Sequence, residues 1–382
     1  MIIRNALIHD AVHREPYRGD LLLREGKILS VGGTAGEGDQ VIDAEGLSAY
    51  PGFVDAHSHI GLDTFGGPTG GAHDYNEMND ICCPQLRGLD SYYAQDAAIP
   101  MGLAGGVTTV ATGPGSANVL GGTFVAVKLF GNTVDEAMIR PAIGMKCAFG
   151  ENPKRCYRDK SDSARMTTAA LLRRMLFEAR DYMLRKEAAG DDITKQPKFD
   201  MKMEALIPVL RKELPLKAHA HRSDDIMTAI RIAREFDVKI TIEHCTEGHL
   251  IVKELQAAGV PVAVGPSLTG ASKLELVNKS WTTPGILAKA GLQVSIITDA
   301  PVIPQEYLPL CAGLAVKAGM DPFQALQAIT INAAKHIGVA DRVGSLEAGK
   351  DADLVLCKGD PMVSDSEIRK VIVNGEIRVD RE

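Results

Sequence analysis

Hydrophobic and polar positions follow two rhythms along this chain. At both ends they alternate over short stretches. MIIRNALIHD, DLLLREGKILSVGG and QVIDAEGLSAY lie within residues 1–50, broken by Glu25-Gly26, Gly32-Gly33 and Glu45-Gly46. The C-terminal end reads DADLVLCKGD and then IRKVIVNGEIRV, with Asn374-Gly375 between its two halves. Period-two alternation bounded by glycine turns marks strands with one buried face. Asn-Gly suits the left-handed backbone of a two-residue hairpin. The matching patterns predict a small β-sandwich domain assembled from residues 1–50 and 350–382.

Between the ends the strand-like runs are mostly apolar, and segments of helical period separate several of them. Runs fall at 106–113, 123–131, 142–150, 216–222, 238–245, 260–266 and 294–301, and Phe53-Val54-Asp55-Ala56 before His57 makes an eighth. Helical stretches include 163–190 and 223–236. Strands buried on both faces and separated by helices read as an α/β fold, a parallel (β/α)8 TIM barrel over residues 51–349. An open doubly wound sheet is the competing architecture, but no G-x-G-x-x-G follows the first strand.

Composition narrows the class. The 382 residues are 45% hydrophobic and 24% charged, enough for one large domain plus a smaller one. A net charge of −7 with both signs interspersed argues against a nucleic-acid or membrane surface. No apolar run approaches the ~18 residues of a membrane span, and the N-terminus lacks the pattern of a signal peptide. Seven cysteines without a CxxC read as thiols in a reducing compartment. A cytoplasmic homo-oligomer acting on a small-molecule substrate is the expectation. The long loop from Gly61 to about Tyr92, with GGPTGG and HDYNEMNDICC, is the natural substrate lid.

Candidate chemistry begins with Tyr50–Leu62, YPGFVDAHSHIGL. Residues two apart on a strand share a face, so His57 and His59 leave it together. Two such imidazoles are half of a divalent-metal site, or simply a polar face. Similar side chains recur at other strand ends. The fifth run ends in His219-Ala220-His221, the sixth in Glu243-His244 and the eighth in Thr298-Asp299, while the fourth carries Lys146. Each has a plain structural reading: His219 as a core histidine, Asp299 as a helix cap, Lys146 as an ordinary lysine. Their recurrence at one end of separate strands points to a common site.

With PGFVDAHSH, the GVTTV second strand, the IEH sixth strand, the TD eighth strand and the closing NAAKHIG…GSLEAGKDADLVL, the chain resembles the amidohydrolase superfamily. The likeness is to its imidazolonepropionase- and prolidase-like branch and covers essentially the whole chain. It implies one or two divalent metals, usually zinc, at the strand ends. His57 and His59 would bind the more buried metal with Asp299. His219 and His244 would hold a second metal, or one of them a single metal. Lys146 takes the place of the carboxylated lysine that bridges the metals in binuclear members, with Lys128 and Glu151 as rivals. Metal lowers the pKa of bound water toward ~7. Asp299 would take the water's proton and return it to the leaving nitrogen. The second metal or His221 would polarise the scissile carbonyl. The reaction implied is hydrolysis of an amide-like C–N bond in a peptide, N-acyl amino acid or cyclic amide.

Two positions depart from the family pattern. Arg222 stands where deaminating members carry the glutamate of an HxxE motif, which sets deamination of an amino-heterocycle second. Ala300 follows the strand-eight aspartate where relatives often carry a polar residue, which removes a hydrogen-bond partner. Arg222, His249, Tyr75, Arg155, Lys154 and Arg87 fall in rim loops as candidate substrate contacts. An arginine there could grip a carboxylate or simply be solvated. A metal-free, non-catalytic interaction protein is the remaining alternative. Such relatives lose ligands, and this chain keeps them.

Overall fold

The computed structural model describes residues 1–36, 40–63 and 74–381. Strands from both ends of the chain form one continuous mixed sheet. From the N-terminal segment come β1 (Ile2–Ile8), β2 (Tyr17–Arg24), β3 (Lys27–Val31), β4 (Val41–Asp43) and β5 (Ser48–Pro51). The chain then enters a second sheet, of strands β6 (Phe53–Ser58), β7 (Val107–Thr112), β8 (Leu120–Lys128), β9 (Met138–Ala148), β10 (Leu216–Ala220), β11 (Ile240–His244), β12 (Val262–Val264) and β13 (Val294–Ile296). It returns to the first sheet as β14 (Leu354–Lys358), β15 (Glu367–Val373) and β16 (Glu376–Asp380).

The first sheet runs β16-β15-β14-β5-β1-β2-β3, with β4 also on β1. The seam between the two ends of the chain is antiparallel, with Val355 opposite Tyr50. Period-two alternation sends Ile3, Leu21, Leu23, Ile28, Leu354 and Ile372 into a core of its own. Asn374 and Gly375 both have positive φ, 51° and 76°, as their hairpin role requires.

The second sheet is a barrel whose strands lie in sequence order, β6 to β13. Past the strand ends the first and last strands are stitched together: Asp299 N donates to His57 O at 3.1 Å, and His59 N to Ala300 O at 2.7 Å. The helices Arg165–Ala189 and Ser223–Phe236 fall where the sequence places them. The second buries Ile226, Ala229, Ile230 and Ala233, the i, i+3, i+4, i+7 stripe of a helix packed on a sheet.

One strand departs from the parallel expectation. β8 runs antiparallel to both neighbours, β7 and β9. The connections decide this. Residues 113–119 and 129–137 are too short for the crossover of about a dozen residues that a parallel return needs, and only Val134–Ala137 of the second is helical. The C-terminal end of β8 therefore lies at the opposite end of the barrel from the other strand ends. Lys128 sits there, 2.7 Å from Asp351 and 2.9 Å from Asp353. It ties barrel to terminal sheet, and its rivalry with Lys146 as a metal bridge is withdrawn.

All seven cysteines are free thiols. Among the described residues, no helix is long and apolar enough to cross a membrane.

Candidate metal centre

Five histidines, a lysine and an aspartate converge at one end of the barrel. His57 and His59 leave β6, His219 and His221 the end of β10, and His244 the end of β11. Among the described residues, two groups have ligand atoms all within 4.8 Å of one another: His57, His244 and Asp299, and His219, His221 and His244. Lys146 Nζ lies 3.1 Å from His57 Nε2. Asp299 Oδ1 lies 3.2 Å from His59 Nε2 and 3.7 Å from His57 Nε2. The carboxylate caps no helix.

Every one of the five rings is held by its Nδ1. His59 meets Gly113 O at 2.8 Å and His244 meets Gly265 O at 2.8 Å. His219 meets Ser116 Oγ at 2.8 Å, His221 meets Thr246 Oγ1 at 2.7 Å, and His57 meets Glu243 Oε2 at 2.9 Å. The carbonyls of Gly113 and Gly265 can only accept, so His59 and His244 carry their proton on Nδ1 and turn the Nε2 lone pair inward. Both carbonyls belong to glycines for a steric reason. A Cβ on Gly113 would stand 2.5 Å from the Phe124 ring, and one on Gly265 would stand 2.1 Å from Ile297 O.

Three residues at the rim have left-handed backbone, which non-glycine residues adopt at a cost: His244 (φ 71°), Cys245 (φ 45°) and Asp299 (φ 56°). Adjacent residues of a strand normally point to opposite faces. The turn at His244 breaks that alternation, so Glu243 and His244 both face the interior.

Burial sets the electrostatics. It holds His57, His219 and His221 well below the ordinary imidazole range and His244 at about 4, with neighbouring cations adding to it. These rings are neutral, as metal ligands must be. Burial pushes the Lys146 ammonium down to about 8. For Asp299, burial alone would raise the carboxyl, but His244, His59 and His57 outweigh it and hold it far below the carboxylate range.

Nε2 of His219 and of His244 are buried without a hydrogen-bond partner. Unpaired buried imidazole nitrogens are costly, and here they point into a cluster of neutral rings and a carboxylate. That donor set fits a divalent cation. His221 differs from its neighbours, because Lys273 Nζ lies 3.4 Å from its Nε2.

The structure does not gather the rim candidates into this cluster. Arg222 is paired with Asp224 at 2.9 Å. His249 holds Thr283 Oγ1 at 2.9 Å, and Arg87 pairs with Asp90. Arg155 is exposed, and Lys154 is half-buried on the same short helix. Tyr75 does reach the site, its ring 5.2 Å from that of His59. Burial raises its hydroxyl pKa, helped by Asp63 and Asp299. Glu151 offers its backbone N–H to Glu275 Oε2 at 2.9 Å. Of the long loop, GGPTGG lies outside the described residues. From Asp74 onward it packs over the β7–β8 connection, with Gly115 N donating to Tyr75 O at 2.6 Å.

Sequence reasoning missed the groups behind the ligands. Lys217 Nζ donates to Glu243 Oε2 at 2.8 Å, and His336 Nε2 lies 2.8 Å from Glu243 Oε1. Lys273 pairs with the buried Glu275 at 2.8 Å. Asp55, buried and pushed up to about 6, accepts from Thr298, Gln305 and the His57 N–H, fixing β6 against β13. The usable signal was a charge inside an otherwise apolar strand, as at Asp55 in FVDA, Lys217 in LKAHA and Glu243 in ITIEH.

A barrel with imidazoles and a carboxylate gathered at its strand ends is the architecture of enzymes that work at that rim. Residues 48–378 match the amidohydrolase family, and the chain belongs to it. It is similar to the crystal structure of an amidohydrolase from Thermotoga maritima MSB8, with 41% identity, 100% of each chain covered and a TM-score of 0.96. It is 28% identical to amidohydrolase tasK of Hapsidospora irregularis over 95% of this chain, which spans only 40% of that protein's length. It is 24% identical to the 5'-deoxyadenosine deaminase of Methanobrevibacter smithii, over 93% of this chain and 83% of that protein.

Proposed function

We propose that the protein is a metal-dependent hydrolase of an amide-like C–N bond in a small molecule. The observation that carries this reading is the cluster of neutral, Nδ1-anchored imidazoles with two orphaned Nε2 atoms around Asp299. His57, His59 and Asp299 would hold one divalent cation, zinc being the first candidate. His219 and His244 would hold a second. Lys146 stands beside His57, and its lowered pKa favours the free amine that a carbamate requires. Addition of CO2 to that amine, with loss of one proton, would give a carbamate whose two oxygens share one negative charge and could serve as further metal donors. When bound, such a cation lowers the pKa of water and polarises the scissile carbonyl.

The chain's own groups supply the remaining steps. Asp299 Oδ1, kept anionic by the surrounding imidazoles, takes a proton from the attacking water and passes it to the leaving nitrogen. His221 lies on the far side of the cluster, where it can contact the developing oxyanion. Tyr75, itself part of the long loop, stands beside His59, where it can meet substrate. Arg222, His249 and Arg155 remain proposals for the outer reach of a larger substrate.

Deamination of an amino-heterocycle is the second reading. Arg222 at the HxxE position set it behind, but the likeness to a 5'-deoxyadenosine deaminase gives it equal footing. One screen separates the two. Protein loaded with Zn2+ or Mn2+ is offered dipeptides, N-acyl amino acids, cyclic amides and aminopurine nucleosides. New amines or carboxylates without ammonia support amide hydrolysis. Stoichiometric ammonia from a nucleoside establishes the deaminase. Turnover that persists in rigorously metal-free protein refutes both.

A further inference from the structure

We infer that Glu243 is a positioning residue that fixes His57 as the most tightly held ligand of the metal centre, with Lys217 and His336 fixing Glu243 in turn. The inference rests on the metal centre proposed above and concerns what lies beneath it. Four of the five converging rings are backed by neutral groups: two glycine carbonyls and two hydroxyls. His57 alone is backed by a carboxylate.

That carboxylate has no freedom to turn. Its Oε2 is shared by His57 Nδ1 at 2.9 Å and Lys217 Nζ at 2.8 Å. Its Oε1 receives Thr241 Oγ1 at 2.7 Å and meets His336 Nε2 at 2.8 Å. The side chains of Glu243, His57 and His336 are fully buried, and that of Lys217 is 3% exposed. Lys217 is itself pinned by Ala56 O, at 2.8 Å, in the strand that carries His57. Strands β6, β10 and β11 and the end of the helix Ile331–His336 thus meet at one carboxyl group.

An acceptor at Nδ1 forces the ring proton there and leaves the Nε2 lone pair facing the centre. An anionic acceptor also makes that lone pair more basic than a carbonyl or hydroxyl can. Lys217 neutralises the carboxylate within the core, so the arrangement does not leave a bare buried charge.

The test reads metal affinity directly. Wild type, Glu243→Gln and the double variant Lys217→Met/Glu243→Gln are loaded with Zn2+ and challenged with graded EDTA, and bound zinc is measured by elemental analysis. Gln keeps the shape and an acceptor but not the charge. The double variant also removes the lysine left without its counter-ion, so it remains informative if the single variant does not fold. Both should release zinc about 10–100-fold more readily than wild type, the scale for loss of a group that orients a ligand. Wild-type zinc retention in the double variant would reduce the cluster to a buried ion pair that supports only the fold, and the inference would be wrong. A wild type that binds no zinc would remove the centre and this inference together.

Discussion

At the scale of single residues, Asp299 and Lys146 carry the sharpest expectations. Asp299 could have been a helix cap, worth about 1 kcal/mol. Instead its carboxylate lies 3.2 Å from His59 Nε2 on strained backbone. Asn keeps the shape, and keeps a tolerance for positive φ, but cannot take a proton from water. Asp299→Asn should therefore melt close to wild type while turnover falls by roughly 10²–10⁴-fold. Wild-type turnover in that variant would exclude the proton shuttle. Lys146→Ala should lower the metal content, with activity partly restored by short carboxylic acids that replace a carbamate. One metal per chain with an unmodified Lys146 by mass spectrometry would rule out the bridge. The HxH pair was legible because a strand's period is two. Glu243 gained no role from the sequence, because ordinary alternation would have turned it away from the face that His244 shares.

At the scale of elements, β8 and the segment leading into β14 explain how barrel and terminal sheet are joined. Lys128 is buried between Asp351 and Asp353, and Lys27 and Arg342 also reach Asp351, at 2.5 Å and 2.7 Å. Burial opposes ionisation of Asp351, but Lys128, Lys27 and Arg342 outweigh it and hold its pKa at about 2, against an ordinary 3.8. The sign follows from linkage. A depressed folded-state pKa adds stability above the unfolded value and loses it as pH falls through the folded one. Asp351→Asn should thus be less stable than wild type near neutrality, on the order of 1–2 kcal/mol. The difference should shrink between about pH 4 and pH 2 in denaturant titrations. A gap that did not narrow with acid would place its origin elsewhere. This junction was hidden in the sequence, because Lys128 looked like a site lysine until the direction of β8 was known.

At the scale of the whole molecule, both ends of the chain share one sheet and one hydrophobic core. We propose that residues 1–50 and 350–382 act as a single composite domain with the barrel of 51–349. Removing either segment should yield insoluble or unfolded protein, because each would leave the strands of the other unpaired at β5 and β14. If each could be deleted with soluble, cooperatively melting protein remaining, the two segments would not be one unit.

The sequence by itself determined what depends on local period and on side-chain type. Alternation at the ends, apolar runs in the middle and the helical stripe of Ser223–Phe236 follow from which faces must be buried. His57, His59, His219, His244 and Asp299 were legible because metal-capable groups recurred at strand ends. Tertiary structure alone decided the rest, since it depends on partners distant along the chain. It reversed β8, whose short connections rule out a parallel return, and so sent Lys128 to the far end of the barrel. It brought Lys273 to His221, 52 positions away along the chain. Glu243 meets His57 across 186 positions, a contact that only closure of the barrel can make.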